Sequence, residues 1–275
     1  MSDYSLIVIG GGEAGLLAAL HGAELGAKVV LVDKGHALGG GCVQTGTLPS
    51  KILSNAAHFL EGLKAAKRYG VALDPALKAS LKEIQASRHK TVMCEVGILA
   101  THIRAHGVEV LNGEASFRPD GAVAVRFADG AERTVCAPRV VIAAGSEPYA
   151  LPGLPFDGRA VLSSDDVATL ETLPARLLIV GAGVNGCEYA FIFRTLGAEV
   201  VLAEMLDRPL WNQDKDVSAL IAREFKKRGI RFLPKTKVER VEEAGDGTAR
   251  AVIAGADPVV IDKVIKERDA STVQA

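Results

Sequence analysis

Short apolar runs alternate along the chain with longer Ala/Leu-rich segments. Leu6-Ile7-Val8-Ile9 is apolar at four consecutive positions, the pattern of a strand buried on both faces of a parallel sheet. GGGEAG follows at Gly10 to Gly15, then LLAALHGAELG as a helix, then Lys28 to Val32 as a second strand ending at Asp33. GGGCVQTGTLPSK, from Gly39 to Lys51, reads as a glycine-rich loop. From Lys51 to His106 the Leu/Ala spacing is helical, with basic residues on the other face. Between Val108 and Val135 the alternation in VAVRFADGAERTV, broken by a D-G turn, predicts an antiparallel hairpin or small meander. Arg139 to Gly145 reads as another buried strand ending in glycine, and PYALPGLPFDG reads as a linker.

Beyond that linker the opening pattern returns. Leu177-Leu-Ile-Val leads into GAGVNG at Gly181 to Gly186, then the helix CEYAFIFRTLG, then Glu199 to Ala203 and the acid Glu204. Gly10 to Asp33 and Gly181 to Glu204 span the same 23 positions. Two copies of one unit predict an α/β chain with two Rossmann-like, three-layer dinucleotide-binding domains, residues 1–150 and 151–275.

The 275 residues are 48% hydrophobic and 24% charged, enough for a real core, and the formal net charge of −1 gives no global attraction to nucleic acid or an anionic membrane. MSDYSLIVIGGG reads as a strand and not a signal peptide, and no run approaches the roughly 18 apolar residues of a membrane span. The four cysteines (42, 94, 136 and 187) form no C-x-x-C pair, so a reducing cytoplasm is expected. Cys94 and Cys136 read as buried small hydrophobes, and Cys187 as a thiol packed at the start of the second glycine helix. The histidines at 21, 36, 58, 89, 102 and 106 make no spaced ligand set, so no metal site is expected.

In G-x-G-x-x-G each glycine meets a separate steric demand. Gly10 and Gly181 permit a tight strand-to-helix turn. Gly12 and Gly183 let a pyrophosphate approach the backbone. Gly15 and Gly186 let helix and strand pack closely. The helix N-terminus then offers N–H groups to phosphate. Asp33 and Glu204 close their strands where a carboxylate accepts from a ribose diol and repels a 2′-phosphate, which favours NAD in the second copy. Arg208, four residues on, keeps NADP(H) open.

GGGEAG, GGGCVQTGTLPSK, VVIAAGSEP and LLIVGAGVNGCEYA, in this order across residues 4 to 265, resemble the flavin-dependent pyridine nucleotide-disulfide oxidoreductases. The resemblance implies FAD on the first unit and NAD(P)H on the second, with Ala144 and Gly145 ending a strand at the edge of the flavin domain and Gly41 and Thr47 lining the flavin. It also implies catalytic roles for Lys51, which lies by the flavin and pairs with Glu188, and for Cys42. In the two-cysteine members a second thiol stands where this chain has Thr47, which excludes a disulfide within the loop. As a lone thiol, Cys42 either reacts with an external disulfide or thiol-reactive metal, or only packs in the loop.

The C-x-x-x-x-T variant with GCEYA-x-I-F is similar to soluble pyridine nucleotide transhydrogenases. It implies hydride transfer from nicotinamide to flavin and on to a second acceptor without a dithiol. Dihydrolipoamide dehydrogenase-like or mercuric reductase-like chemistry is the alternative within the class, and a non-catalytic nucleotide-binding remnant the alternative outside it. Against the family's length, VVIDKVIKERDASTVQA resembles the start of a strand that dissolves after Ile265. The completion of the FAD domain and the dimer-interface domain are therefore expected to be absent, and a homodimer is not expected. The partners implied are a nicotinamide nucleotide and an electron acceptor that no residue specifies.

Overall fold

The computed structural model describes residues 3–35, 37–72, 74, 79–148, 153–243, 248–254 and 257–266. His36, residues 149–152 of the proline-rich passage and the tail after residue 266 lie outside them. The chain forms two compact units.

The first comprises residues up to 48 and 89–146. In chain order it holds β1 (Leu6–Ile9), α1 (Glu13–Glu24), β2 (Val29–Asp33), α2 (Gly40–Gln44), the first two residues of α3 (Thr47–Ala65) and the second part of α4 (Leu81–Ala105). These are followed by β3 (Glu109–Asn112), β4 (Glu114–Phe117), β5 (Val123–Arg126), β6 (Glu132–Val135) and β7 (Val140–Ile142). The parallel sheet runs β3-β2-β1-β7, with Val8 opposite both Leu31 and Val141. Side chains alternate across a strand, so the apolar run of β1 feeds two layers at once. Val8 and Leu31 pack with Leu16 and Ala19 of α1 and Ile103 of α4. Ile7, Val30 and Val32 pack on Val123, Val125 and Val135 of the antiparallel β4-β5-β6 meander. Asp129-Gly130, with Gly130 at φ +84°, forms the turn into β6. The predicted meander is present, although residues 109–112 leave it and join the parallel sheet beside β2.

Two expectations in this unit are corrected. β7 is not buried on both faces: Val141 is 36% exposed and Ile142 66%, and among the described residues it is also the edge strand, with β1 on one side. The segment Gly39 to Lys51 is not a loop throughout but forms α2 and the first turn of α3. Pro49 falls in that first turn, where a missing N–H disturbs no intrahelical bond.

The second unit comprises the described residues of 49–88 and 147–266. Its elements are most of α3, the start of α4, β8 (Val161–Ser163), β9 (Arg176–Val180), α5 (Val184–Leu196), β10 (Glu199–Ala203) and α6 (Lys215–Arg228). β11 (Arg231–Leu233), β12 (Val238–Glu243), β13 (Ala249–Ile253), β14 (Val259–Ile261) and β15 (Lys263–Lys266) complete it. The parallel sheet runs β11-β10-β9-β15-β8, so the last described strand is placed centrally, between β9 and β8. Leu177 and Ile179 face a helix layer with Phe193 of α5, Phe225 of α6 and Leu53 of α3. Leu178 and Val201 face the antiparallel β12-β13-β14 sheet. The same three layers therefore appear twice. The end of the proline-rich passage is more than a linker. Leu154 is 1% exposed in this second core, and the Asp157 carboxylate accepts from the amides of Arg159, Ala160 and Val161.

Phe225 is fully buried between the Phe191 and Phe232 rings. Phe225→Ala is expected to cost roughly 3–5 kcal/mol, because the lost burial and the residual cavity add. Denaturant unfolding followed by far-UV circular dichroism reads it as a lower midpoint at unchanged slope.

Candidate dinucleotide-binding sites

In the first unit, β1 ends at Gly10, whose φ of +106° favours glycine. A Cβ there would lie 2.1 Å from the Ala143 carbonyl oxygen and 3.2 Å from the Ala144 Cα, which brings the end of β7 against the turn. A Cβ on Gly15 would lie 1.8 Å from the Gly10 oxygen, so helix and strand meet at a distance that only hydrogen allows. Gly12 differs. Its Cβ would meet nothing nearer than the Gly40 Cα at 3.9 Å. Packing within the chain therefore demands glycine at 10 and 15, whereas at 12 the side-chain-free surface is open. Gly12 is also the N-cap of α1, and no side chain caps that helix. Open space over uncapped helix amides is what a pyrophosphate requires, so the residues present fit a dinucleotide.

The second glycine segment is laid directly on this turn. The Gly39 amide donates to the Gly11 carbonyl at 2.8 Å, and a Cβ on Gly40 would stand 2.8 Å from the Gly12 Cα. Gly41 follows at the start of α2, its carbonyl taking the Gly46 amide. Gly145, at φ +75°, stands just after β7 with nothing against its missing Cβ.

The second unit repeats the device. Gly181 has φ +101°, and Gly183 is the N-cap of α5, again without a side-chain cap. Gly186 is buried in the first turns of that helix. The two acids are held alike. Asp33 accepts from the Gly11 amide through Oδ2 and from the Gly35 amide through Oδ1 at 2.7 Å. Glu204 accepts from the Ala182 amide at 2.7 Å and the Leu206 amide at 2.9 Å. Each acid therefore fixes the second residue of its own glycine turn, a bond the sequence reading did not foresee. A polar cavity of about 350 Å³, lined in part by Arg176, Glu199, Arg231 and Asp257, lies at the opposite, amino end of these strands and shares nothing with the glycine turn.

Lys51 and Glu188 meet as the resemblance implied: Nζ lies 2.5 Å from Oε1. α3 carries the lysine and α5 the glutamate, and Leu53, Ala57 and Leu60 seat α3 in the same core as α5. Lys64 Nζ donates to the Thr195 carbonyl at 3.0 Å farther along. Lys51 stays more than half exposed, so its ammonium is steered by the carboxylate without being dried out.

Cys42 has two partners in the first unit. Burial and a hydrogen bond to the Glu13 carboxylate raise the thiol above its ordinary pKa, and the bond with Thr47 only partly opposes them. The residue in the second thiol's place is thus a hydrogen-bond partner of the first. Glu13 was missed by sequence reasoning, since only the fold brings α1 to α2. Cys187 is buried, with its thiol against the Ala182 carbonyl, as expected. Cys94 is exposed and Cys136 half-buried, so neither is the buried hydrophobe predicted. Cys94 lies on an outward face of α4 and Cys136 just beyond the end of β6, which residue type alone does not reveal. Among the described residues no histidine or cysteine group could hold a metal, and no helix is long and apolar enough to cross a membrane.

Paired glycine turns, each with its acid, define a protein built for two dinucleotides. Residues 4–267 match the pyridine nucleotide-disulphide oxidoreductases, and the chain belongs to that family, whose cofactors are FAD and NAD(H). It is 35% identical over 240 residues to a dihydrolipoyl dehydrogenase of Bacillus subtilis, covering 87% of this chain and 52% of that protein. Against a dihydrolipoyl dehydrogenase of Zymomonas mobilis it is 34% identical, covering 100% and 58%. The crystal structure of LpdA from Mycobacterium tuberculosis superposes with a TM-score of 0.89 at 25% identity, over 95% of this chain and 58% of that one. The chain spans about half the length of the curated relatives it matches.

The Cys42 environment predicts slow alkylation. Iodoacetamide labelling of the Cys42 peptide, followed by mass spectrometry, should reach its midpoint at higher pH than that of a free cysteine in the same buffer. Glu13→Gln removes one of the groups that oppose the thiolate and should move the Cys42 midpoint down.

Proposed function

We propose that the chain is the nucleotide-binding part of an FAD-dependent oxidoreductase that takes hydride from a reduced nicotinamide nucleotide, the first unit serving FAD and the second serving NAD(H); residues 49–88, expected with the first domain, belong to the second unit. The observation that carries this reading is the device found twice: an uncapped helix behind a glycine turn, with an acid bonded to the turn's second amide. FAD, when bound, supplies the two-electron acceptor. Asp33 and Glu204 orient the ribose ends, and Gly12 and Gly183 give the phosphates access to backbone amides. By the resemblance, Lys51 would be the cation that favours negative charge on the reduced flavin, with Glu188 holding its ammonium in one place.

For the acceptor, the names of the relatives favour dihydrolipoyl dehydrogenase-like chemistry, with a dithiol–disulfide partner, over a second nicotinamide nucleotide. The transhydrogenase-like reading rests on Thr47. On either reading no disulfide joins positions 42 and 47, and burial together with the Glu13 hydrogen bond favours the protonated form of the thiol that remains. The loop therefore supplies shape and hydrogen bonds, with no electron relay of its own.

The test is anaerobic mixing of the FAD-loaded chain with NADH, followed at the flavin absorption band. Bleaching is expected, with Cys42→Ser within about twofold of the unaltered rate and Lys51→Met slower by roughly 10- to 100-fold, the scale of one lost electrostatic contact. Protein that stays colourless and takes up no FAD would sink the proposal. Reoxidation by lipoamide, lost in Cys42→Ser, would place the acceptor with the dihydrolipoyl dehydrogenases. Reoxidation by a nicotinamide analogue alone would place it with the transhydrogenases.

A further inference from the structure

The segment that follows Glu204 is built onto the glycine turn, and Arg208 closes it. Glu204 is 9% exposed and both its carboxylate oxygens are engaged, by the Ala182 and Leu206 amides. Ala182 is held from its other side as well, since its carbonyl takes the Leu210 amide at 2.8 Å. Leu210 sits at φ +49°, a conformation that a leucine keeps only where neighbours fix it. Those neighbours are the Gln213 amide and the Ser218 hydroxyl, which both donate to the Leu210 carbonyl. Across this turn Arg208 Nη2 donates to the Trp211 carbonyl at 2.7 Å and, at longer reach, to the Gln213 carbonyl.

Four residues beyond the strand-end acid, an arginine is the residue type that would answer a 2′-phosphate. Here one nitrogen of its guanidinium, Nη2, is engaged by the carbonyls of its own turn. We propose that Arg208 is a positioning residue of the nicotinamide-nucleotide site: it braces residues 206–213, keeps Glu204 and Ala182 in register, and so makes the site take NADH and reject NADPH. A 2′-phosphate would meet the Glu204 carboxylate, and drawing Arg208 toward it would break the bond that braces the turn. This deepens the proposed function, resting on its assignment of the second unit, and it disfavours exchange of hydride between NAD and NADP.

The chain carries its own reporter, because its single tryptophan, Trp211, is half-exposed in this turn. Titration of the purified full chain with NADH and with NADPH, read by quenching of Trp211 emission, gives both dissociation constants without any turnover. NADPH is expected to bind at least about 100-fold more weakly than NADH, the scale of a like-charge juxtaposition. Arg208→Ala should weaken NADH by about 10-fold or more, shift the emission of the free protein and leave NADPH no weaker, as loss of a brace requires. Arg208→Gln, which keeps one donor, should fall between, and an unchanged thermal midpoint shows that either variant is folded. Glu204→Gln should narrow the gap between the nucleotides.

NADPH within about tenfold of NADH would overturn the inference and leave the proposed function standing. So would an Arg208→Ala variant that loses NADPH but keeps NADH, the mark of a phosphate ligand. Failure of both nucleotides to bind would instead overturn the assignment of the second unit, and the inference with it.

Discussion

The contact between Gly15 and the Gly10 carbonyl sets the terms for the first unit. With no Cβ at position 15, α1 lies close enough to β1 for its amino end to stop beside the strand's carboxyl end. From that one approach follow the open surface at Gly12, the space into which Gly39 and Gly40 are laid, and the reach of Asp33 to the Gly11 amide. The second unit shows what is essential by keeping only part of this. It has the positive-φ glycine, the N-cap glycine and the acid-to-amide bond, but Ala182 stands where the first unit has Gly11. The second turn residue therefore needs its amide, not glycine's freedom.

Local constraints were legible in the sequence and tertiary ones were not. Glycine spacing and the acid 23 residues on follow from backbone geometry within one βαβ unit, so both turns and both acids could be placed by eye. Lys51–Glu188 came from family resemblance alone, for nothing in the spacing of two residues 137 apart points to an ion pair. Glu13 gave no signal, since its role depends on α2 folding back over the first turn. The strands from Val238 to Ile253 also went unread, because a β-ladder is stabilised by pairing across the sheet more than by the strand's own residues. The stretch TLPSK misled in the other direction: read as the end of a glycine-rich loop, it forms the first turn of α3, where Pro49 is compatible with the helix.

The two units place their chemistry differently. In the first, the charged group near the cysteine is an exposed glutamate that suppresses the thiolate. In the second, burial of Tyr189 pushes its phenol up to about 12, and Arg88 beside it, lowered by desolvation, is bonded to Gln85 and the Ala168 carbonyl. Neither arrangement stores a reactive anion at neutral pH. That is consistent with a protein whose own side chains hold and orient while bound nucleotides carry the electrons.

The outer rim of β7 has a consequence for handling the protein. Val141 and Ile142 present a short parallel strand with apolar side chains in water, beside a row of amides and carbonyls that face away from β1. Such a rim accepts any extended segment of matching length, from the same polypeptide or from a neighbour. Among the described residues it is where a neighbouring chain could add a strand, and a lysine at position 142 would be a gatekeeper against that.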